Sequence, residues 1–191
     1  TELSENIRKH AESYELVKIR EEEVKKIEKK DNYFEVSTDK DRYKSRAVLF
    51  ATGTKWKKLP ESVKGGKEYE NRGVNYCAIC DGPLYKNRTV AVVGGSDSAA
   101  KDALLLAEHA KKVYIIYRGE KIRQEPINLK RIEENKKIEV INNMNIVEIQ
   151  GGEVVKKVVL DKSYNGKKEL ELDGVFVAIG HVVLSDLAAL L

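Results

Sequence analysis

The chain has 191 residues, of which 41% are apolar and 35% charged, with a formal net charge of +4; this is enough for one or two domains with a proper core. The charge lies in mixed-sign stretches such as residues 20–30 and 130–137, which read as solvated faces and exclude the basic stripe of a nucleic-acid binder. No apolar run approaches the ~20 residues of a membrane span and no signal peptide is present, so no membrane partner is expected and a cytoplasmic location is.

The chain starts at Thr1 without an initiator methionine and stops at Leu190-Leu191 in mid-pattern, which predicts a piece of a longer protein. Ser4 is a plausible N-cap for a short helix reaching about Glu12. Strand-like runs follow at residues 15–21, 24–28, 33–37 and 42–50, spaced as an antiparallel meander. The last run ends in Ala47-Val48-Leu49-Phe50-Ala51-Thr52-Gly53, where a buried apolar strand meets a turn of small residues that lets the backbone approach something closely. Residues 57–73, with Pro60, Gly65, Gly66 and Gly73, mark a composition shift and a candidate linker, and the domain boundary is expected there.

The only two cysteines stand in Cys77-Ala78-Ile79-Cys80-Asp81-Gly82. Cysteines at i and i+3 lie on one side of a helical turn, so their sulfurs can close a small disulfide that thiolate exchange with a second protein reopens. A zinc site would need two more soft or imidazole ligands, and His10, His109 and His181 are scattered, so no metal is expected. Two inert core cysteines are the other alternative. In a reducing compartment a lone Cys-x-x-Cys points to catalysis more than to structure.

Residues 89–93, Thr-Val-Ala-Val-Val, predict a buried strand that runs into Gly94-Gly95-Ser96-Asp97-Ser98-Ala99 and a helix with Ala99, Ala103, Leu106, Ala107 and Ala110 on one face. Strand, glycine turn and helix in that order form the phosphate end of a dinucleotide-binding unit, with free backbone N–H groups at the helix start to receive the pyrophosphate. An ordinary βαβ turn without nucleotide is the bland alternative. The next strand, residues 113–117, ends not in the acid that reads an NAD ribose but in Tyr117-Arg118, with Lys121 and Arg123 beyond. That positive charge suits a 2′-phosphate, hence NADPH; a solvated basic loop is the alternative. Pro126 opens a helix to about Asn135, and strands are expected at residues 138–142, 145–150, 154–160, 168–172 and 174–179, the last leading to Gly180-His181. The predicted class is α/β, a Rossmann-like three-layer unit with a small antiparallel addition.

The runs Ala51-Thr52-Gly53, Cys77 to Gly82, Gly94 to Ala99 and Val175-Phe176-Val177-Ala178-Ile179-Gly180-His181, in that order and spacing, resemble the low-molecular-weight thioredoxin reductases of bacteria and archaea. The resemblance implies a flavoprotein in which an NADPH domain is inserted into an FAD domain. Residues 1–58 would be a partial FAD-binding domain of helix and β-meander, residues 59–177 the NADPH-binding domain with the Cys-x-x-Cys, and residues 178–191 the start of the return to the FAD domain. It also implies electron flow from NADPH through FAD, in the intact parent, to a Cys77–Cys80 disulfide and on to thioredoxin or a similar small dithiol protein, with a homodimeric parent. Cys80 would face the flavin, Cys77 would attack the partner's disulfide, and Asp81 would handle a proton, although a turn or cap role for Asp81 reads equally well. The implied cofactor contacts are Ala51, Thr52, Gly53, Gly94, Gly95, Ser96, Asp97, Ser98, Ala99, Arg118, Arg123 and Gly180. The chain departs from the pattern at Ser96, where many members have glycine, at Gly119, where an arginine is common, and at Val183 and Leu184, where proline and asparagine are usual. The other function class is a non-catalytic nucleotide-binding or redox-sensing module that uses the cysteine pair as a switch.

Overall fold

The protein is described by a computed structural model covering residues 1–189 and 191; Leu190, part of the tail read from the sequence, lies outside the described residues. The chain forms two compact units, Thr1–Gly53 with Val183–Leu191, and Thr54–Val182.

In the first unit, helix α1 spans Glu2–Glu12. The expected cap at Ser4 is corrected: Thr1 is the N-cap, its Oγ1 accepting the Ser4 N–H at 3.4 Å, so Ser4 lies within the first turn. The hydroxyl satisfies one donor that a helix start leaves free. Glu2 and Glu5 near the start and Lys9 and His10 near the end oppose the helix dipole. Strands β1 (Val24–Lys29), β2 (Phe34–Thr38) and β3 (Arg42–Ser45) pair antiparallel in chain order, with Ile27 opposite Val36 and Val36 opposite Tyr43.

One expected strand of this unit does not form and another is cut short. Residues 15–21 have no strand structure, and the following Glu22 is held through its carboxylate by the Tyr43 hydroxyl at 2.9 Å and the Thr38 hydroxyl at 2.7 Å. The run at 42–50 ends at Ser45; Leu49, expected in a buried apolar strand, is 92% exposed. Such a strand is stable only where neighbours take up its backbone N–H and C=O groups, and no described strand pairs with it.

In the second unit β4 (Thr54–Trp56) is followed by β5 (Val74–Asn75), helix α2 (Ala78–Asp81) and a 3₁₀ turn, Gly82–Tyr85. Then come β6 (Thr89–Val93), α3 (Asp97–His109), β7 (Lys112–Ile116), α4 (Pro126–Glu134) and β8 (Ile138–Ile141). Strands β9 (Ile146–Gly151), β10 (Val155–Tyr164) and β11 (Lys167–Glu171) precede β12 (Gly174–Val177) and β13 (His181–Val183). A parallel sheet has the order β5-β12-β6-β7-β8, β9 to β11 form an antiparallel meander, and β4 pairs with β13 in a two-stranded ribbon.

Alternation along the buried strands divides the core between the two faces of the parallel sheet. Val90, Val92, Val113, Ile115 and Phe176 pack with Ala99, Ala103 and Leu106 of α3. Ala91, Ile116, Val175 and Val177 pack instead with Ile149, Val155, Val158 and Leu160 of the meander. Each fully buried aliphatic side chain contributes about 1.5–3 kcal/mol, so the three layers of helix, sheet and meander hold the strand ends in place. The glycine- and proline-bearing stretch at 57–73 is packed too: Tyr69 is buried, with Leu59 and Val63 against the same core.

Candidate functional site

Both stretches with chemical potential leave parallel strands at their carboxyl ends, where open α/β sheets receive ligands. After β5 the chain passes Tyr76, whose hydroxyl donates to Glu70 at 2.9 Å, and Glu70 also pairs with the Lys58 ammonium at 2.5 Å. Burial, reinforced by the Glu70 bond, pushes the Tyr76 hydroxyl well up from its ordinary pKa. This cluster anchors the segment that enters α2.

Cys77 caps α2 and is bonded to Cys80, with an S–S distance of 2.09 Å and Cα atoms 5.3 Å apart. The Cys80 N–H points at the Cys77 sulfur, 3.1 Å away. Cys77 and Asp81 are half-buried, whereas Cys80 is exposed and Ile79 is 79% exposed. Behind the pair, the 3₁₀ turn packs on α3, and the Tyr85 ring meets Phe176 edge-on with centroids 5.2 Å apart. The Asn75 side-chain amide donates to the Tyr85 hydroxyl at 2.8 Å, and burial raises that hydroxyl's pKa. A cavity of about 370 Å³ opens beside this turn, lined in part by Asp81, Leu84, Tyr85, Arg72 and Arg88.

The glycine turn forms between β6 and α3. Gly94 has φ +150°, and a Cβ there would lie 2.4 Å from the Ala178 carbonyl oxygen, so the turn is closed to any side chain. Ser96 is the N-cap of α3 but its side chain makes no capping bond, which leaves the first-turn N–H groups without a side-chain acceptor. Ala99 is fully buried under the turn, while Ser96 and Ser98 are exposed. This glycine-closed, uncapped start of a long helix fits a dinucleotide pyrophosphate.

Asp97 faces the protein. Its carboxylate pairs with Lys101 at 2.7 Å and accepts from the Asn128 amide at 2.7 Å and the Glu125 N–H at 3.0 Å. Lys101, then Asn128, then the Glu125 N–H hold its pKa down at about 2. It thereby ties the start of α3 to the start of α4.

The structure brings the loop after β7 onto the glycine turn: the Arg123 N–H reaches the Gly95 carbonyl at 2.6 Å, and Ser96 and Arg123 form an isolated bridge. Arg118 and Arg123 both expose their side chains. Gly180, after β12, is exposed with φ +100° and accepts the Lys57 N–H at 3.0 Å. In the other unit Ala51, Thr52 and Gly53 are exposed; the Thr52 hydroxyl donates to the Leu184 carbonyl, and nothing lies within 4 Å of a Cβ built on Gly53. Those three residues make no cradle for a flavin on their own.

Sequence reasoning missed Asn128, Glu70 and Tyr85, whose roles rest on contacts between elements distant in sequence. Tyr117 was placed from the sequence at the end of the second strand, where the ribose-reading acid is missing, without a role for its ring. Among the described residues no group of three His, Cys, Asp or Glu side chains converges as a metal site, and no helix is long and apolar enough to cross a membrane.

Residues 1–186 match the family described as pyridine nucleotide-disulphide oxidoreductase. The thioredoxin reductase of Yarrowia lipolytica is 34% identical over 190 residues, covering 95% of this chain and 59% of that protein. That of Bacillus subtilis is 36% identical over 165 residues, covering 85% and 52%. Among solved structures, the T. acidophilum thioredoxin reductase superimposes with a TM-score of 0.76 at 34% identity, covering 97% of this chain and 60% of the other. Lactococcus lactis thioredoxin reductase gives 0.76 at 32%, covering 88% and 55%. The chain thus spans between half and three-fifths of the length of these relatives.

Proposed function

The chain belongs to the pyridine nucleotide-disulphide oxidoreductase family, and from that premise we propose that it carries the NADPH-binding and redox-disulfide portion of an FAD-containing thioredoxin reductase. The observation that carries this reading is the Cys77–Cys80 disulfide within the same unit as the dinucleotide-type turn. Residues 59–177 are assigned to the NADPH domain, 1–58 to part of the FAD domain and 178–191 to the start of the return; unit limits at Thr54 and Val182 support a nucleotide unit of nearly that extent. The nucleotide contacts are assigned to Gly94, Gly95, Ser96, Ser98, Ala99, Arg118, Arg123 and Gly180, with Asp97 positioning the turn. Ala51, Thr52 and Gly53 are assigned to the FAD side, where binding needs more contacts than these three make.

Nicotinamide and flavin, when bound, supply the hydride transfer that reduces the disulfide. The chain's own chemistry is thiol exchange. In the dithiol state the Cys80 N–H that points at Cys77 stabilises a Cys77 thiolate, so Cys77 is the attacking sulfur. It bonds to one sulfur of the partner's disulfide and the other leaves as a thiolate. Cys80 then attacks the Cys77 sulfur of the mixed disulfide, the intramolecular bond reforms and the second partner thiolate departs. Two electrons pass to the partner, and the two thiol protons end on its sulfurs, Asp81 being the adjacent group that carries one.

The partner is a thioredoxin or a similar small dithiol protein. Exposed Ile79 and Leu84, 79% and 78% accessible, and the cavity beside Asp81 support a protein-sized docking surface here. The compartment is a reducing cytoplasm, where such a pair cycles, and the full-length protein is a homodimer. The test is exchange between the reduced chain and oxidised thioredoxin. Cys80→Ser is expected to trap a mixed disulfide through Cys77, read by mass spectrometry. Trapping by Cys77→Ser through Cys80 but not by Cys80→Ser, or no exchange by the reduced chain, would overturn the assignment.

A further inference from the structure

The side chain of Tyr117 lies between two glycines from different segments. A Cβ on Gly95, in the phosphate turn, would come within 2.2 Å of Tyr117 Cδ2, and a Cβ on Gly119, in the basic loop, within 2.6 Å of Cε1 and 2.9 Å of the hydroxyl oxygen. All three separations are closer than side chains approach one another. The backbones around the ring are pinned as well. The Tyr117 N–H binds the Ile141 carbonyl at 2.9 Å, the Tyr117 carbonyl accepts the Met144 N–H at 3.0 Å, the Gly119 carbonyl accepts the Asn143 N–H at 2.9 Å, and Gly95 is tied to Arg123 at 2.6 Å. A side chain at 119 therefore cannot be accommodated by a small backbone shift; the ring has to leave.

We infer that Tyr117 is a specificity-determining residue at the adenosine 2′ corner of the dinucleotide: by filling the space between Gly95 and Gly119 it holds position 119 to glycine and leaves recognition of a 2′-phosphate to Arg118 and Arg123. The inference rests on the reading of the glycine turn as a dinucleotide site. It accounts for Gly119, which in the sequence is simply a missing cation. The absence of an arginine there and the presence of an aromatic ring at 117 are one feature, because ring and side chain compete for the same volume. It follows that an arginine placed at 119 with the ring in position is not an added phosphate contact. It expels the ring toward the turn and the exposed corner where the ribose would lie.

Calorimetric titration of the 191-residue chain with NADPH and with NADH tests this, using Gly119→Arg in the wild-type, Tyr117→Ala and Tyr117→Phe backgrounds. Gly119→Arg alone is expected to weaken both nucleotides without raising the NADPH to NADH affinity ratio. In the Tyr117→Ala background the same change is expected to raise that ratio about tenfold, as one charge-assisted contact does. In a Tyr117→Phe background, which keeps the ring, Gly119→Arg is expected to leave the ratio unraised. If Gly119→Arg alone does not fold, recovery of its melting transition by Tyr117→Ala supports the steric coupling, and the ratio is read from the double variant. Equal gains from Gly119→Arg in the wild-type and Tyr117→Ala backgrounds, or the same gain in the ring-keeping Tyr117→Phe background as in Tyr117→Ala, would overturn the inference while leaving the dinucleotide reading intact. Failure of the wild type to bind either nucleotide would remove that reading and the inference with it.

Discussion

Gly174 lies against the ring of Tyr85: a Cβ built on Gly174 would sit 2.3 Å from Tyr85 Cε1 and 2.7 Å from Cζ. Gly174 opens β12, opposite Val90 of β6, and Tyr85 ends the turn that follows the disulfide. The contact therefore couples the central sheet to the segment carrying the cysteines.

Replacing Gly174 by alanine is expected to destabilise the protein by about 1–3 kcal/mol, the range for forcing an extra methyl into a packed core. The ring has little room to yield, since Phe176 and Asn75 hold its other sides. Denaturant unfolding measures the cost, and in a Tyr85→Ala background the same change is expected to cost less. An unchanged midpoint for Gly174→Ala alone would mean that the ring swings aside freely.

The parallel sheet was legible because each of its long strands carries its own signal. Val90 to Val93 is apolar throughout as a strand covered on both faces must be, and the alanines of α3 recur at helical spacing. The glycine turn was legible for the same local reason. The first unit was read less well. Residues 15–21 and 47–50 have strand-like composition, but β-propensity expresses itself only where partner strands exist, and those residues find none among the described strands. At the site, cysteine spacing located the disulfide, whereas the Asp97–Asn128 tie and the Tyr117 wedge depend on which helix and loop fold back on the turn, which no local pattern encodes.

The two thiols of the reduced chain are expected to differ in reactivity. Cys77 is half-buried but receives the Cys80 N–H, while Cys80 is exposed and lacks such a donor among the described contacts. A hydrogen bond to the sulfur favours the thiolate, the form that is alkylated, so Cys77 should be labelled first despite its lesser exposure. Differential alkylation with peptide mass spectrometry reads the order. Faster labelling of Cys80 would mean that access, not the hydrogen bond, selects the nucleophile.

Asp97 supplies a pH signature of the turn. Its folded pKa, about 2, lies below the ordinary 3.8, so the stability it contributes is fully present above about pH 4 and is lost as pH falls through about 2. The melting-temperature difference between wild type and Asp97→Ala should accordingly be constant near neutrality and shrink across that acid window. A difference that stays constant down to pH 2 would mean that the carboxylate's partners do not stabilise the start of α3.

The last expectation concerns the nucleotide itself. Arg118 follows the carboxyl end of β7, where a 2′-phosphate would project, and the backbone bond from Arg123 to Gly95 folds the loop back onto the phosphate turn. A charge-assisted contact is worth about 1.5–3 kcal/mol when well formed, so two could discriminate strongly. Both guanidiniums are exposed, however, and solvent and salt weaken each contact. NADPH is therefore expected to bind on the order of ten- to a hundredfold more tightly than NADH. The preference should narrow as ionic strength rises, because only the 2′-phosphate contacts distinguish the two ligands. Arg118→Ala should reduce it mainly by weakening NADPH, with little change for NADH. Titrations of the wild type and the variant at low and high salt measure all three effects. Equal affinities in the wild type, or no loss on substitution, would make the basic loop a solvated surface and require electrons to enter from a different donor.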